Sequence, residues 1–281
     1  MRKKIKKAVV AVAGLGTRFL PAVKAFPKEM LPIIDKPIIQ LVVEELVEAG
    51  VEDIIMVTKH EKTIFKDYFS RNLELESEIE KTGKIELLNT VKGVSGLANF
   101  IYLKQIGPYG NGTPVLTAAH LIKNEPFVFV WGDDLVKSKV SFTKQMVDKY
   151  EKNGHLMIGV QEVPQDQVYR YGIVKLKKGT MQIEKIVEKP SVEEAPSNLA
   201  DFGRMILDQN MIDILKNLPL GKNNELWIVD AITEYIRQGG EFYAKVVEGG
   251  EWLTTGDPIN YLKAVLKYAK DNKEMKKELK L

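Results

Sequence analysis

The first half of the chain alternates short apolar runs with amphipathic segments, a pattern typical of strands that alternate with helices. The apolar run 9–13 ends at a glycine turn and predicts a buried strand. Segment 37–50 carries apolar residues at helical spacing between a proline and a glycine, so it predicts a helix. The run 53–58 predicts a second buried strand. Strand, helix and strand at this spacing form a βαβ unit, so we expect a parallel sheet.

The rest of the chain continues this pattern. Further strands are predicted at 100–103, 127–131 and 156–160, and further helices at 64–69, 74–92, 113–122, 142–150, 211–215, 227–237 and from 258 onward. The run 127–131 is apolar throughout, which places it in the centre of the sheet. These elements indicate an α/β fold, a Rossmann-like, mixed and mostly parallel sheet flanked by helices.

Three of the predicted helix features are specific. We expect Thr113 to be the N-cap of helix 113–122 and Pro114 its first helical residue. Gly50 suits the C-terminal cap of the first helix. In the helix that starts at Pro258, Leu262 and Leu266 share one apolar face with Val265 and Ala269, and this face suits either an interface or packing on its own domain.

Composition excludes several function classes. The 281 residues include 41 basic and 38 acidic ones, and this near balance gives no electrostatic case for a nucleic-acid or membrane partner. The chain has no cysteine, which rules out disulfides, thiolate catalysis and cysteine zinc sites. The histidines His60, His120 and His155 form no spaced metal pair. The basic start runs directly into the first strand without a signal-peptide pattern, so we expect a cytoplasmic protein.

The loop after the first strand is suited to binding a triphosphate. Gly14 and Gly16 allow backbone amides to approach a phosphate, Arg18 adds a forked cation and Lys28 a point charge. A dinucleotide-binding fingerprint would need a third glycine where Phe19 stands, and the chain contains no Walker P-loop. Two glycines after a strand also suit an ordinary turn, so the prediction of a phosphate-binding loop depends on the cations Arg18 and Lys28.

This stretch also carries a resemblance to a known family. The run 14–18 (Gly-Leu-Gly-Thr-Arg), followed by 27–32 (Pro-Lys-Glu-Met-Leu-Pro), resembles the signature of the sugar nucleotidyltransferases, in particular the bacterial-type UTP–glucose-1-phosphate uridylyltransferases. The resemblance extends over nearly the whole chain. It implies a single domain, 1–281, with a nucleotide-binding half at about 1–135, a sugar-phosphate-binding half at about 136–257 and a C-terminal helix at 258–281. It also implies a homodimer or homotetramer.

The resemblance implies a set of residues for the nucleotide. Gln105 would read the uracil edge, since an amide can both donate and accept hydrogen bonds there. The glycine-rich loop 107–112 follows it, but Thr113 and Pro114 replace the histidine and alanine usual in the family. The implied nucleotide-binding residues are Ala13, Gly14, Gly16, Thr17, Arg18, Lys28, Gln105 and Gly110.

A second set is implied for the sugar phosphate. In the family, the Glu-Lys-Pro motif that matches Glu188 and Lys189 places the glutamate on sugar hydroxyls and the lysine on the phosphate. As a bare tripeptide this motif is a surface turn in most proteins. The run 195–200 after it strengthens the match, and Gly172 upstream corresponds to a glycine that approaches the sugar.

Asp133 is implied as a Mg²⁺ ligand. It follows the strongest predicted strand, where open α/β sheets place their ligands, and Mg²⁺ commonly binds one or two carboxylates together with phosphate oxygens. The family's second metal-binding aspartate corresponds to Thr254, which is a poor ligand by comparison. Three possibilities therefore stay open: Asp133 holds the metal alone, Asp134 or Asp257 helps it, or metal use is altered. Asp257 equally suits the cap of a helix before Pro258.

The implied reaction is uridylyl transfer from UTP to glucose 1-phosphate, with Mg²⁺, giving UDP-glucose and pyrophosphate. Arg18, Lys28, Asp133 and Lys189 would be its catalytic residues. A thymidylyltransferase or a broader sugar-1-phosphate nucleotidyltransferase remains an alternative. Thymine differs from uracil by one methyl group, and a binding pocket discriminates between two ligands that differ by one methyl group by only about 1–3 kcal/mol. A regulatory protein that binds nucleotide without turnover is the alternative from another class, motivated by Thr113 and Thr254.

Overall fold

The computed structural model of the protein describes residues 3–59 and 63–281, so His60 lies outside the described residues. The strands are, in chain order, β1 (Lys7–Val12), β2 (Pro32–Ile33), β3 (Lys36–Pro37), β4 (Asp53–Thr58), β5 (Asn99–Lys104), β6 (Phe127–Trp131), β7 (Asp134–Ser138), β8 (Leu156–Glu162), β9 (Gly172–Leu176), β10 (Ile183–Glu188), β11 (Leu199–Leu207), β12 (Phe242–Val246) and β13 (Gly250–Thr254). The α-helices are α1 (Ile38–Glu48), α2 (Ile64–Phe69), α3 (Leu73–Lys81), α4 (Ile85–Ser95), α5 (Thr113–Ile122), α6 (Phe142–Asn153), α7 (Gln209–Asn217), α8 (Ile228–Arg237), α9 (Pro258–Ala269) and α10 (Lys273–Glu278).

The main sheet is mixed, which confirms the expected fold class. Its strand order is β10-β9-β11-β6-β1-β4-β5, and β8 pairs with both β11 and β12. The strands β6, β1, β4 and β5 run parallel, whereas β11 runs antiparallel to β6, β8 and β9. These four parallel strands come from the first half of the chain. In the second half β12 runs parallel to β8, and β11 joins the two halves by pairing with β6, β8 and β9.

Two apolar layers cover the two faces of this sheet. Val9 and Val10 of β1 are both fully buried, but successive strand residues point to opposite faces, and each belongs to a different core cluster. Helices α1 and α6 pack on the face of Val10, and α5, α7 and α8 on the face of Val9. Burial on both faces explains why β6 has no polar alternation, as the sequence predicted for a central strand.

Some predicted helix details are wrong. Gly112, not Thr113, is the N-cap of α5, and the hydroxyl of Thr113 donates to the carbonyl of Pro108 at 2.7 Å. Pro114 therefore stands one position further into the helix than expected. The predicted helix 74–92 consists of two helices, α3 and α4, because Gly83 between them has a φ of 71°.

The C-terminal segment also differs from its prediction. It forms two helices, α9 and α10, and α9 packs on the molecule through Ala264 and Ala269. Of the apolar face predicted for this helix, Val265 and Ala269 pack on the molecule, whereas Leu262 and Leu266 are 58% and 46% exposed. Among the helices of residues 3–59 and 63–281, none combines the length and apolar character needed to cross a lipid bilayer.

Candidate active site

A cavity of about 430 Å³ opens where β1 and β6 end, at the edge predicted for ligands. Because these strands are parallel, the loop after β1 and the turn after β6 lie side by side, and the amide of Gly132 donates to the carbonyl of Ala11 at 3.0 Å. The lining residues are Ala11, Ala13, Gly14, Arg18, Lys28, Glu29, Gln105, Tyr109, Gly110, Asn111, Pro114, Trp131, Asp133, Arg170, Tyr171, Gly172, Glu188, Lys189, Asp201, Asn223, Glu225 and Trp227.

The loop after β1 brings its cation to this cavity. Gly16 has a φ of 65°, a conformation that glycine adopts without strain, and a short 3₁₀ helix, Thr17–Phe19, follows it. Arg18 lines the cavity and its Nη1 donates to the carbonyl of Gly256 at 3.4 Å. Gly14 lines the cavity, and Gly16 and Thr17 form the turn that follows it.

Lys28 is held by two carboxylates. Its ammonium forms an ion pair with Asp133 and lies 3.2 Å from Oε1 of Glu29. Burial alone lowers the pKa of Lys28, but the attraction of Asp133 and Glu29 outweighs it and raises this pKa above its usual value. Glu29 is 1% exposed, and its Oε2 has no hydrogen-bond partner within the described part of the chain. Lys28 therefore stays cationic and fixed in place.

Asp134 orients the turn that carries Asp133. Its carboxylate accepts from the backbone amide of Gly203 at 3.0 Å and from the indole of Trp252 at 2.9 Å, and burial raises its pKa to about 6. The fully buried Arg204 donates to the backbone carbonyl of Asp134 at 2.8 Å and pairs with Glu45 at 2.7 Å. These contacts occupy Asp134, so it serves structure and is not free to bind a metal.

The donor groups near Asp133 suit a hard cation. A Cβ added to Gly256 would lie 3.2 Å from Oδ2 of Asp133, 3.6 Å from the hydroxyl of Thr254 and 3.7 Å from Nη1 of Arg18, so both oxygens lie beside Gly256. One carboxylate and one hydroxyl fit Mg²⁺, which keeps several waters and binds substrate phosphates. Asp257 is not available, because it caps α9 and pairs with Arg170 at 2.5 Å. No cluster of three acidic or imidazole groups that could hold a metal occurs among residues 3–59 and 63–281.

Gln105 and the loop 107–112 form one end of the cavity. The backbone of Leu226 fastens this loop by accepting from the amide of Gly112 at 2.9 Å and donating to the carbonyl of Tyr109 at 2.8 Å. Gly110 has a φ of 135°, and a Cβ there would lie 2.3 Å from the carbonyl oxygen of Leu226. Only glycine allows this close approach, which brings the segment around Leu226 to the cavity.

Gly172, Glu188 and Asp201 form a row across the sugar-phosphate half. Glu188 at the end of β10 is paired with Gly172 at the start of β9, and the register of β9 with β11 places Asp201 on the other side of Gly172. Burial raises the pKa of Glu188, although Lys189 lowers it in part.

Lys189 is fixed in an unusual backbone conformation. Its φ is 46°, in the left-handed region, which is unfavourable for a residue that carries a side chain. Its backbone amide donates to the carbonyl of Tyr171 at 3.0 Å. Its ammonium lies 3.2 Å from Oε1 of Glu188 and 4.6 Å from the centre of the Trp227 ring. This placement over an aromatic face orients the cation toward the cavity.

The structure gathers most of the residues predicted from sequence into one cavity. The predicted residues that line it are Ala13, Gly14, Arg18, Lys28, Gln105, Gly110, Asp133, Gly172, Glu188 and Lys189. No chemical role was predicted for four other residues that line the cavity, Trp131, Asp201, Glu225 and Trp227. Trp227 lies in the run 225–230, which resembles a segment of the same family, but this resemblance assigns it no chemistry.

Comparisons with known proteins agree with this arrangement. The sequence profile of the family described as "Nucleotidyl transferase" matches residues 7–271. The chain is 44% identical over 281 residues to a UTP--glucose-1-phosphate uridylyltransferase of Staphylococcus epidermidis, covering 99% of this chain and 97% of that protein. The structure of a UTP-bound UGPase from Acinetobacter baumannii is similar, with a TM-score of 0.89, 37% identity and coverage of 98% and 97% of the two chains. A UDP-glucose pyrophosphorylase solved with UDP-glucose matches with a TM-score of 0.84, 37% identity and coverage of 95% and 99%.

Proposed function

The chain belongs to the nucleotidyl transferase family, and on that basis we propose that it transfers a uridylyl group from UTP to glucose 1-phosphate, releasing pyrophosphate and UDP-glucose. One observation carries this proposal. A single cavity is lined by Arg18 and Lys28 from the triphosphate-binding loop and by Lys189 from the sugar-phosphate half, with Asp133 in the same wall. Such a cavity can hold a nucleoside triphosphate and a sugar phosphate together.

The proposed step is a direct in-line displacement. A phosphate oxygen of glucose 1-phosphate attacks the α-phosphorus of UTP, and the bond from that phosphorus to the oxygen bridging to the β-phosphate breaks. Pyrophosphate leaves with the bond electrons. The reaction then needs positioning and charge neutralisation more than a protein nucleophile.

Each cation has a proposed task in this step. The amides around Gly14 and the guanidinium of Arg18 hold the triphosphate, and Lys28 stabilises the charge that grows on the leaving pyrophosphate. Lys189 holds the attacking phosphate of the sugar, and Glu188 accepts from sugar hydroxyls. Gln105 and the loop around Gly110 bind the base. Asp133 and Glu29 hold the ammonium of Lys28 at the cavity wall.

Mg²⁺ is the proposed cofactor. Asp133 and the hydroxyl of Thr254 would hold it, together with phosphate oxygens and water, and the ion would neutralise phosphate charge during the transfer. Enzymes of this family generally use a divalent metal ion. Asp133 would then give up its ion pair with Lys28, and the ammonium of Lys28 would be available to phosphate oxygens.

The oligomeric state and location expected from the sequence remain part of the proposal. The exposed stripe of Ile259, Leu262 and Leu266 on α9 is compatible with a homodimer or homotetramer. UTP and a free sugar phosphate are substrates of the cytoplasm, which is the proposed location.

Incubation of the purified protein with UTP, glucose 1-phosphate and Mg²⁺ tests the proposal. UDP-glucose and pyrophosphate are expected in a one-to-one ratio, and neither should form without the sugar phosphate. Chelation of the metal should stop the reaction and added Mg²⁺ should restore it. UTP hydrolysis without UDP-glucose would contradict the proposal.

A further inference from the structure

Asp201 is a buried carboxyl group that no step described above uses. It is 2% exposed, it lines the cavity, and within the described residues its Oδ2 has no hydrogen-bond partner. A buried polar atom without a partner costs free energy, so its presence calls for a partner that arrives with a ligand.

The neighbours of Asp201 show which part of the cavity it faces. Gly172 has no side chain, and a Cβ there would lie 2.7 Å from Oδ1 of Asp201. The carboxyl group of Asp201 thus occupies the space that Gly172 leaves open. On the other side of Gly172 stands Glu188, its partner in the strand register. The two carboxyl groups therefore lie on the same face of the sheet, in the sugar-phosphate half.

A second unpartnered polar atom lies in the same wall. The indole Nε1 of Trp131 also lacks a hydrogen-bond partner within the described residues. Trp131 is paired in register with Gly203, and a Cβ added there would lie 2.5 Å from Cβ of Trp131. Asp201 and Gly203 are two residues apart on β11 and point to one face. Both residues line the cavity, as expected of a wall that meets a ligand rich in hydroxyl groups.

We propose that Asp201 is a specificity-determining residue whose Oδ2 hydrogen-bonds one ring hydroxyl of the sugar 1-phosphate, adjacent to the hydroxyl bound by Glu188. This assignment rests on the proposed function, because it takes the row of Glu188, Gly172 and Asp201 as the sugar subsite. Burial, followed by the nearby Glu188, raises the pKa of Asp201 well above its usual value. A carboxyl group in its neutral form can donate to a hydroxyl as well as accept from it.

The test compares sugars that each lack one hydroxyl. The kcat/KM values of the wild type, with saturating UTP and Mg²⁺, are measured for glucose 1-phosphate and for its 2-, 3-, 4- and 6-deoxy analogues. The same series is measured for Asp201→Ala and for the control Asp213→Ala, which changes an aspartate that is 56% exposed on α7. If Asp201→Ala does not fold, Asp201→Val fills the space of the carboxyl group with methyl groups and serves the same comparison.

One analogue should respond to the substitution. For the hydroxyl that Asp201 binds, kcat/KM of the wild type and of Asp213→Ala should be about 10-fold lower with the deoxy analogue than with glucose 1-phosphate. In Asp201→Ala this ratio should fall to about threefold or less. The preferences for the other three hydroxyls should not change. A general structural effect of the substitution would not act on one hydroxyl alone.

The outcomes separate the two proposals. If the wild type forms no UDP-glucose from glucose 1-phosphate, the proposed function fails. If the wild type is active and Asp201→Ala keeps all four hydroxyl preferences of the wild type, only the assignment of Asp201 is overturned. A higher kcat/KM of the wild type for glucosamine 1-phosphate than for glucose 1-phosphate would also overturn this assignment, because Asp201 would then select an ammonium group.

Discussion

The ammonium of Lys28 and the carboxylate of Asp133 form an ion pair across the junction between the loop after β1 and the end of β6. Their sequence positions are far apart, but the parallel pairing of β1 with β6 brings them together. Each group neutralises the other while the cavity holds no substrate. In the proposed reaction, both groups turn from each other to phosphate oxygens and the metal.

Removing either charge should abolish most of the activity. Lys28→Met and Asp133→Asn keep similar side-chain size, and each is expected to lower kcat by at least about 100-fold, because a fixed charge on the developing transition state is lost. The measurement is pyrophosphate release at saturating substrates, with circular dichroism to check the fold. Lys24→Met is the matched control, since Lys24 is an exposed lysine of the same loop. Turnover within about threefold of the wild type would remove these residues from the mechanism.

Trp227 should affect sugar-phosphate binding by holding the ammonium of Lys189 in place. The ammonium lies over its ring, so Trp227→Phe keeps an aromatic face and Trp227→Leu removes it. A cation–π contact of about 0.5–2 kcal/mol corresponds to roughly 3- to 30-fold in affinity, and Trp227→Leu should raise KM for glucose 1-phosphate by that factor. The KM for UTP should change little. Equal KM values for the Phe and Leu variants would show that the aromatic face has no part in sugar-phosphate binding.

A carboxylate at position 254 should strengthen metal binding. The hydroxyl of Thr254 and Oδ2 of Asp133 both lie beside Gly256. Thr254→Asp adds a second anionic oxygen ligand, so the Mg²⁺ concentration for half-maximal activity should fall about 10-fold. Thr254→Asn has nearly the same size without the charge and should not lower it. An unchanged Mg²⁺ requirement in Thr254→Asp would place the metal away from this residue.

Asp201 should make stability depend on pH in a defined direction. Its pKa in the folded protein is raised above the value in the unfolded chain, chiefly by burial. Between these two pKa values the folded protein binds more protons, so this group's contribution to the free energy of unfolding is lost as pH rises. Asparagine does not titrate, so the stability of Asp201→Asn relative to the wild type should increase from pH 4 to pH 8.

Thermal unfolding at both pH values checks this expectation. Asp213→Asn is the control, because hydrogen bonds from Gln209 and Lys216 lower the pKa of Asp213 and its removal should not produce the same increase. If the stability difference between Asp201→Asn and the wild type is the same at pH 4 and pH 8, the pKa of Asp201 is not raised by folding.

The sequence predicted the parts of the site that are local in the chain. The loop around Gly14 and Arg18, the turn at Asp133 and the motif of Glu188 and Lys189 each show their chemistry within a few residues, and the structure places all of them in one cavity. The parallel pairing of β1 with β4 also follows from a local pattern, because strand, helix and strand at this spacing form a βαβ unit.

The remaining part of the site depends on contacts between distant segments. Asp201 reaches the cavity because of the register of β11 with β9, and a shift by one residue would turn it to the opposite face. Trp227 reaches it because Gly110 lets two loop backbones approach closely. The helix cap at Thr113 was predicted wrongly because its hydroxyl finds the carbonyl of Pro108 in the preceding loop. None of these pairings is visible in a local pattern.

Uridylyl transfer is tested by pyrophosphate release with glucose 1-phosphate and Mg²⁺, compared among UTP, dTTP, ATP and CTP. Release that is strongest with UTP, by about 10-fold or more over dTTP, is the predicted result, because one methyl group at the base is worth about 1–3 kcal/mol in a fitted pocket. Equal or faster release with dTTP would contradict uridylyl transfer and indicate a broader nucleotidyltransferase. Folded protein that binds UTP but releases no pyrophosphate with any nucleotide would contradict catalysis altogether.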